Sequence, residues 1–263
     1  MIDFHNHILP CIDDGSKSIE MSLSMLNTAL NQGITDVVNT VHFQHPKVEG
    51  KKIIYDNINK EIIKLQNELD RNAINIKIHI GAEVFYLPNL LDIKDDPLTT
   101  FGNGKYMLIE FSPNFIPNNE LNDLFNLKMS GITPIIAHPE RYFIFQDDYN
   151  LIYDYLSAGC LMQVDAGSIL GFMGENALKT ALAIIKNEWC SILGSDAHDN
   201  NRRNFCLNDA YKIVKKLLGD EATQLIKENP YKVINGQPII SNFRQSEKKK
   251  SFIFHNLFKR IKS

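Results

Sequence analysis

Cysteine is scarce: four in 263 residues, at Cys11, Cys160, Cys190 and Cys206. None forms a Cys-x2-Cys pair, so neither a disulfide framework nor a structural thiolate zinc site is expected, and reduced cytosolic thiols fit better. A cysteine-phosphatase mechanism is excluded as well, because Lys17, Ala166, Asp196 and Lys212, not arginines, stand six residues after the four cysteines. No run approaches the roughly 20 apolar residues of a membrane span. A basic leader with an apolar core is also missing, so the expectation is a cytoplasmic protein without a signal peptide. The dinucleotide GxGxxG, the P-loop and the GxSxG elbow are absent, which removes three common routes to cofactor binding and nucleophilic catalysis. Large net charge is lacking too: 28 Lys and Arg face 31 Asp and Glu, a net of −3. That balance hides an asymmetry, since residues 244–263 carry +6 and leave −9 for residues 1–243. An acidic body has no basic footprint for phosphate backbones, so no nucleic-acid partner is expected.

What is abundant is a pattern of apolar runs that end in histidine or carboxylate. The chain opens Ile2-Asp3-Phe4-His5-Asn6-His7. On a strand, residues two apart share a face, so His5 and His7 can offer two imidazoles to one ion. His42 ends a second run, with His45 nearby, and Asp13-Asp14-Gly15 occupies the first loop. Glu83, Glu110 and His138 end further runs, and Asp196 with His198 repeats the spacing of the first pair. A charge at the end of a buried strand must be paired or metal-bound, because an unpaired buried charge is costly. Imidazole with carboxylate suits manganese, iron or zinc better than magnesium. Nine candidate ligands exceed the needs of one ion, so two or three divalent ions are expected, with Glu83 as a bridging carboxylate. Such a set suits metal-assisted hydrolysis. Arg141, just beyond His138, and Arg203, beyond His198, are candidate phosphate-binding cations, whereas Arg202 reads better as a surface residue. His79 and His255 read as structural.

The runs alternate with helical patterns, which argues for βα units. A first helix carries Ile19, Leu23, Leu26 and Leu30 on one stripe and stops at Gly33. Strands are expected at 36–41, 76–82, 105–111, 133–137, 160–164 and 191–193 besides the first. Helices are expected at 51–71 with Ile54, Ile58, Ile62 and Leu65 inward, then at 119–130, 149–158, 175–187, 205–218 and 220–228, the last ending before Pro230. About seven strands fit a closed or distorted (β/α)7 barrel, with an open doubly wound sheet as the alternative. In such a barrel, ligands at strand C-terminal ends meet at one mouth. Residues 1–243 would form it. Within residues 244–263, Phe254, Leu257, Phe258 and Ile261 stand beside Lys and Arg at helical spacing, the pattern of a basic amphipathic tail for a membrane surface or a partner.

In this order, His5-Asn6-His7-Ile8-Leu9-Pro10, Asp13-Asp14-Gly15, Thr40-Val41-His42, Gly81-Ala82-Glu83, Leu108-Ile109-Glu110-Phe111, Ile136-Ala137-His138-Pro139-Glu140-Arg141-Tyr142, Gln163-Val164-Asp165-Ala166-Gly167-Ser168 and Ser195-Asp196-Ala197-His198 resemble one family. It is the polymerase and histidinol phosphatase (PHP) superfamily, and within it the CpsB/CapC-type capsular-polysaccharide tyrosine phosphatases. The resemblance implies a distorted (β/α)7 barrel with a trinuclear, usually manganese-supported centre. It implies His5, His7, Glu83 and Asp196 on one metal, Glu83, Glu110 and His138 on a second, and Asp14, His42 and His198 on a third. Arg141 and Arg203 would bind phosphate while a metal-bound hydroxide attacks phosphorus. The implied substrate is a phosphotyrosine protein, the tyrosine-rich tail of a membrane-bound bacterial tyrosine kinase that controls capsular or exopolysaccharide synthesis. The protein would then work in the cytoplasm, at the inner face of the membrane. A histidinol-phosphatase-like small-molecule phosphatase and a non-catalytic binding module are the rival readings. Val41-His42-Phe43 departs from the family's usual Pro-His-His, so the loop Gln44-His45-Pro46 is expected to differ in shape, and Asp165 replaces a residue that is often uncharged.

Overall fold

The order of strands in space is the order in the chain: β1 (Ile2–Asn6), β2 (Asp36–Phe43), β3 (Lys77–Phe85), β4 (Tyr106–Glu110), β5 (Thr133–Ala137), β6 (Leu161–Asp165) and β7 (Cys190–Gly194), each parallel to the next. The computed structural model describes residues 1–239. The expected basic tail at 244–263 lies outside the described residues. Beyond the end of β7 the chain closes onto β1: Asp196 N–H donates to His5 O (2.7 Å) and His7 N–H to Ala197 O (2.8 Å). These bonds complete a distorted (β/α)7 barrel, and the open doubly wound sheet is set aside.

Most helices fall where the apolar spacing puts them. The helix Ile19–Asn31 begins at Ser18, whose hydroxyl accepts from Met21 N–H. Gly33, at φ 78°, follows its end. The buried face is Ser22, Met25, Leu26 and Ala29, a rotation from the expected leucine stripe. Ser22 causes it, because its hydroxyl donates to Ile8 O at 2.6 Å and ties the helix to the loop after β1. The helix Tyr55–Arg71 buries Ile58, Ile62, Leu65 and Leu69, while Ile54 precedes it and is 48% exposed. The expected end before Pro230 is not a break: the π-helical turn Gln224–Glu228 runs directly into the helix Asn229–Ile234, which holds Pro230 in its first turn. Unforeseen short helices occupy Phe143–Asp147 and Ala166–Ile169.

β2 and β3 run two and three residues past their expected ends, because the ladder continues through His42↔Glu83 and Phe43↔Val84. His42 and Glu83 therefore sit on rigid strand rather than on loop. Alternation sorts each strand into an outward face against the helices and an inward face. Phe4, Val38, Leu108, Ile135 and Ile192 form an inner apolar cluster distinct from the layer between sheet and helices. Phe101, from the loop before β4, plugs this cluster and packs on Phe4 at 5.2 Å between ring centroids. Gly81 makes room for it, since a Cβ there would stand 2.0 Å from the Phe101 ring.

Candidate metal centre

At the C-terminal mouth the same inward faces turn polar. His5 and His7 approach with their Nε2 atoms 3.4 Å apart. Glu83 Oε2 lies 3.3 Å from His5 Nε2, 3.4 Å from His7 Nε2 and 3.1 Å from His42 Nδ1, while Glu83 Oε1 lies 2.8 Å from His138 Nε2. Asp14 Oδ1 stands 3.1 Å from His42 Nε2 and 3.2 Å from His198 Nε2. Glu110 Oε1 is 3.8 Å from His138 Nε2. All nine residues that the sequence marks as ligands thus meet in one pocket. Within it, four overlapping groups could each hold an ion: His7, Asp14, His42 and His198; His5, His7 and Asp196; His5, Glu83 and His138; and His42, His45 and Glu110. The expected third set gains His7, and His45 joins a group in which the sequence did not place it.

Two observations bear on whether these residues fit metal. The first is tautomer control. His5 Nδ1 is bonded to Gln163 Oε1 (2.8 Å), His7 Nδ1 to Asp13 Oδ2 (2.8 Å) and His198 Nδ1 to its own neighbour's carbonyl, Asp196 O (2.9 Å). Each partner accepts, so each Nδ1 carries the hydrogen and each Nε2 presents a lone pair to the pocket, as a metal ligand must. The second is a set of orphaned atoms. Asp14 Oδ1, His42 Nδ1, Glu110 Oε2, Asp196 Oδ1 and His198 Nε2 are buried without a hydrogen-bond partner. Such atoms are rare unless something else satisfies them. Their donor type and crowding suit divalent cations held by nitrogen and oxygen.

The electrostatics agree. Burial alone would raise Glu83 and Asp196, yet the imidazoles around Glu83, and Arg141, His198, His5 and Arg203 around Asp196, hold both well below the usual carboxylate range. Burial and the Glu83 charge push Glu110 up to about 8. Burial and the Glu83 charge thus outweigh the opposing pull of His42 and Lys47 on Glu110. Burial and the neighbouring His42 lower His45 to about 4.

Asp196 lies just beyond its strand, as the expected strand at 191–193 implies. It follows β7 at φ 47°, and His138 follows β5 at φ 33°. The left-handed turn at His138 aims its side chain inward at a position where plain alternation from Ile135 and Ala137 would fail, while Asp196 keeps the inward register of Ile192 and Gly194. Arg141 and Arg203 reach the same carboxylate: Arg141 Nη1 donates to Asp196 Oδ2 (2.5 Å), as does Arg203 Nη2 (2.6 Å). The two oxygens of Asp196 are therefore divided, Oδ2 to the arginines and Oδ1 to the histidines, 3.4 Å from both His5 Nε2 and His7 Nε2. Arg202 is exposed.

Sequence reasoning missed the supporting layer. Asp165, to which it assigns no role, is fully buried and ion-paired to Arg141, while Gly167 N–H (3.0 Å) and the Ser168 hydroxyl (3.2 Å) donate to it. Glu140 accepts from Asp165 N–H at 3.0 Å. Lys47 pairs with Asp14 at 2.7 Å. The signal for Gln163 and Asp165 was present, two polar residues two apart at the end of an apolar run, the same signature that marks His5 and His7. His79 bonds Asp36 at 2.9 Å, away from the mouth.

With this geometry in hand, comparison with known proteins is informative. Residues 1–235 match the family model described as capsular polysaccharide synthesis, CpsB/CapC. CapC of Staphylococcus aureus is 32% identical over 94% of each chain. The tyrosine-protein phosphatase CpsB of Streptococcus agalactiae is 30% identical, over 91% of this chain and 100% of its own. A crystal structure from work on YwqE of Bacillus subtilis and CpsB of Streptococcus pneumoniae, described as unique metal-dependent tyrosine phosphatases, superposes with a TM-score of 0.85 at 28% identity, over 93% of this chain and 97% of that one. The histidinol phosphate phosphatase of Lactococcus lactis shares the fold alone, at 14% identity and a TM-score of 0.56. The chain belongs to the CpsB/CapC family of capsular polysaccharide synthesis proteins.

Proposed function

We propose that this protein is a metal-dependent protein-tyrosine phosphatase of capsular or exopolysaccharide synthesis. The observation that carries the reading is the convergence of His5, His7, Asp14, His42, Glu83, Glu110, His138, Asp196 and His198 on a common space, with Nδ1 of His5, His7 and His198 engaged so that their Nε2 atoms face it. These nine would hold two or three divalent ions, manganese first and iron or zinc as alternatives. Bound there, the ions supply Lewis-acid charge to phosphoryl oxygens and lower the pKa of water.

The chain's own residues set the stage for that chemistry. Asp13 and Gln163 fix the tautomers of His7 and His5, and partners of this kind are worth 10- to 100-fold in metal affinity or activity as an order of magnitude. Glu83 reaches across the pocket to four histidines and is the natural bridge. Arg141 and Arg203 bring fixed positive charge beside Asp196, where it can stabilise the charge gathering on phosphoryl oxygens at no cost of reorganisation. The relatives' names point to phosphotyrosine on protein, and the partner proposed is a membrane-bound bacterial tyrosine kinase. No described helix is long and apolar enough to cross a membrane. Action at the inner membrane face is proposed to come from peripheral contact through residues 244–263, on the strength of their basic amphipathic spacing, and unchanged liposome and kinase association after truncation at Gln245 would remove that part.

The test is a direct comparison of a phosphotyrosine peptide with histidinol phosphate, on protein whose metal content is measured by elemental analysis. The expected result is bound metal and a strong preference for the peptide. Preference for histidinol phosphate would overturn the substrate, and bound metal without hydrolysis of either would favour a binding module.

A further inference from the structure

β2 ends at Phe43, and Gln44 turns the chain through φ 59°, folding His45 back over the last histidine of the strand. The His45 ring stacks on His42 with centroids 4.4 Å apart and meets Phe85 edge-on at 4.8 Å. Its Nδ1 accepts Lys47 N–H at 3.0 Å. A neutral imidazole engaged in this way carries its proton on Nε2. His45 is therefore the inverse of His5, His7 and His198. They donate through Nδ1 and present a lone pair, whereas His45 accepts through Nδ1 and presents an N–H. Although His45 lies in a group with His42 and Glu110 that could hold an ion, this tautomer gives it a donor and not a ligand atom. The N–H stands 3.5 Å from Glu110 Oε2, too long to be consumed as a hydrogen bond. On its other side His45 borders a cleft of about 470 Å³ lined by the apolar Phe43, Pro46, Val48 and Ile53 together with Gln44, Glu49 and Lys51. One clamped ring thus adjoins both the centre and a cleft with an apolar wall and a volume that can take an aryl side chain.

We propose that His45 determines specificity at this site. Its Nε2–H donates to an oxygen of the phosphate ester, and its ring with the adjoining cleft receives the aryl ring of the phosphorylated side chain. An alkyl phosphate such as phosphoserine would take the hydrogen bond and leave the cleft empty. The proposal rests on the phosphatase reading and adds to it the group that selects an aryl ester.

His45→Phe keeps a ring and loses the N–H; His45→Ala loses both. For His45→Phe the expected result is a drop in kcat/KM of roughly tenfold on phosphotyrosine and phosphoserine peptides alike, from one lost hydrogen bond to a charged group. In His45→Ala both rates fall in the same way and the ratio between the two peptides, unchanged in His45→Phe, also falls by roughly tenfold, as one lost apolar contact would cause. Metal content stays at the wild-type level in both. Calorimetry on the unaltered protein gives an independent measure, with phenylphosphonate binding roughly tenfold tighter than methylphosphonate. Wild-type kinetics in both variants, loss of bound metal in His45→Phe, or equal affinity for the two phosphonates would each overturn the proposal. If the unaltered protein hydrolyses no phosphomonoester, the phosphatase reading fails by itself, and the phosphonate preference alone decides the role of His45.

Discussion

Along β2 the inward face reads Val38, Thr40, His42; along β4 it reads Leu108, Glu110; along β7 and its continuation it reads Ile192, Gly194, Asp196. The N-terminal and C-terminal ends of one barrel interior, two to four residues apart on each strand, therefore carry opposite chemistry. At the first end the side chains are apolar, fully buried and joined by the Phe101 plug. At the second they are equally buried but charged, with orphaned atoms and two left-handed non-glycine residues, His138 and Asp196. Buried unpaired polar atoms and sparsely populated backbone persist only where surrounding structure over-determines them. The comparison teaches a division of labour. The apolar end and the outer helical layer stabilise the barrel, and the mouth draws on that stability to hold groups that would otherwise repel.

Substitutions at the two ends should accordingly separate function from stability. Glu83→Gln keeps shape and removes the charge shared by His5, His7, His42 and His138. Turnover of a phosphotyrosine peptide should fall by at least about a thousandfold. Elemental analysis should show lost metal, while urea denaturation of metal-free protein shows little change. Wild-type metal content and turnover in this variant would break the comparison at its polar end. Ile135→Ala, at a fully buried inward position of β5, is the counterpart. It should lower unfolding free energy by about 2–5 kcal/mol, read from denaturant midpoints, with the molecules that remain folded binding metal normally.

How much of this was legible beforehand follows the same division. Eight of the nine candidate ligands could be read because histidine or carboxylate at the end of an apolar run violates the pattern of a buried strand; Asp14, in the first loop, is marked only by the family resemblance. The strands could be read because a parallel barrel buries them on both faces. The supporting residues were harder. Gln163 and Asp165 carry the same spacing as His5 and His7, but that spacing does not say that Asp165 pairs with Arg141, a contact between separate strand ends. His45 was near a ligand by number, but its tautomer depends on a backbone N–H that only the turn at Gln44 delivers. The rotation of the first helix came from one serine hydroxyl, which a hydrophobic stripe cannot register.

A smaller effect sharpens the polar end by its pH dependence. Glu110 is raised from 4.5 to about 8 by burial and by the Glu83 charge. A carboxyl shifted upward is protonated in the folded state over a range where the unfolded chain has lost that proton. Its contribution to stability is thus full below the unfolded pKa and is lost as pH rises toward the folded one. Metal-free protein should lose stability on this account between about pH 4.5 and 8. Metal must displace the same proton. Calorimetry of metal binding near pH 7, in buffers of different ionisation enthalpy, should show proton release, and Glu110→Gln should reduce it by about one proton per molecule. Equal release in the variant would mean that another group carries the proton.

The least effect is expected where the residue type alone would suggest the greatest. His79 lies on β3 four residues before Glu83 and on the same face, so by composition it is one more histidine on a ligand-bearing strand. It stands at the other end of the barrel, partly exposed and paired with a half-exposed Asp36 at 2.9 Å. A pair so placed contributes under about 1 kcal/mol, because solvent screens it and ordering the side chains offsets the attraction. His79→Asn should therefore move the denaturation midpoint slightly and leave metal content and turnover unchanged. If it lost either, position along the strand would not be what separates ligand from structural histidine, and the two ends of the interior would have to be treated as one electrostatic unit.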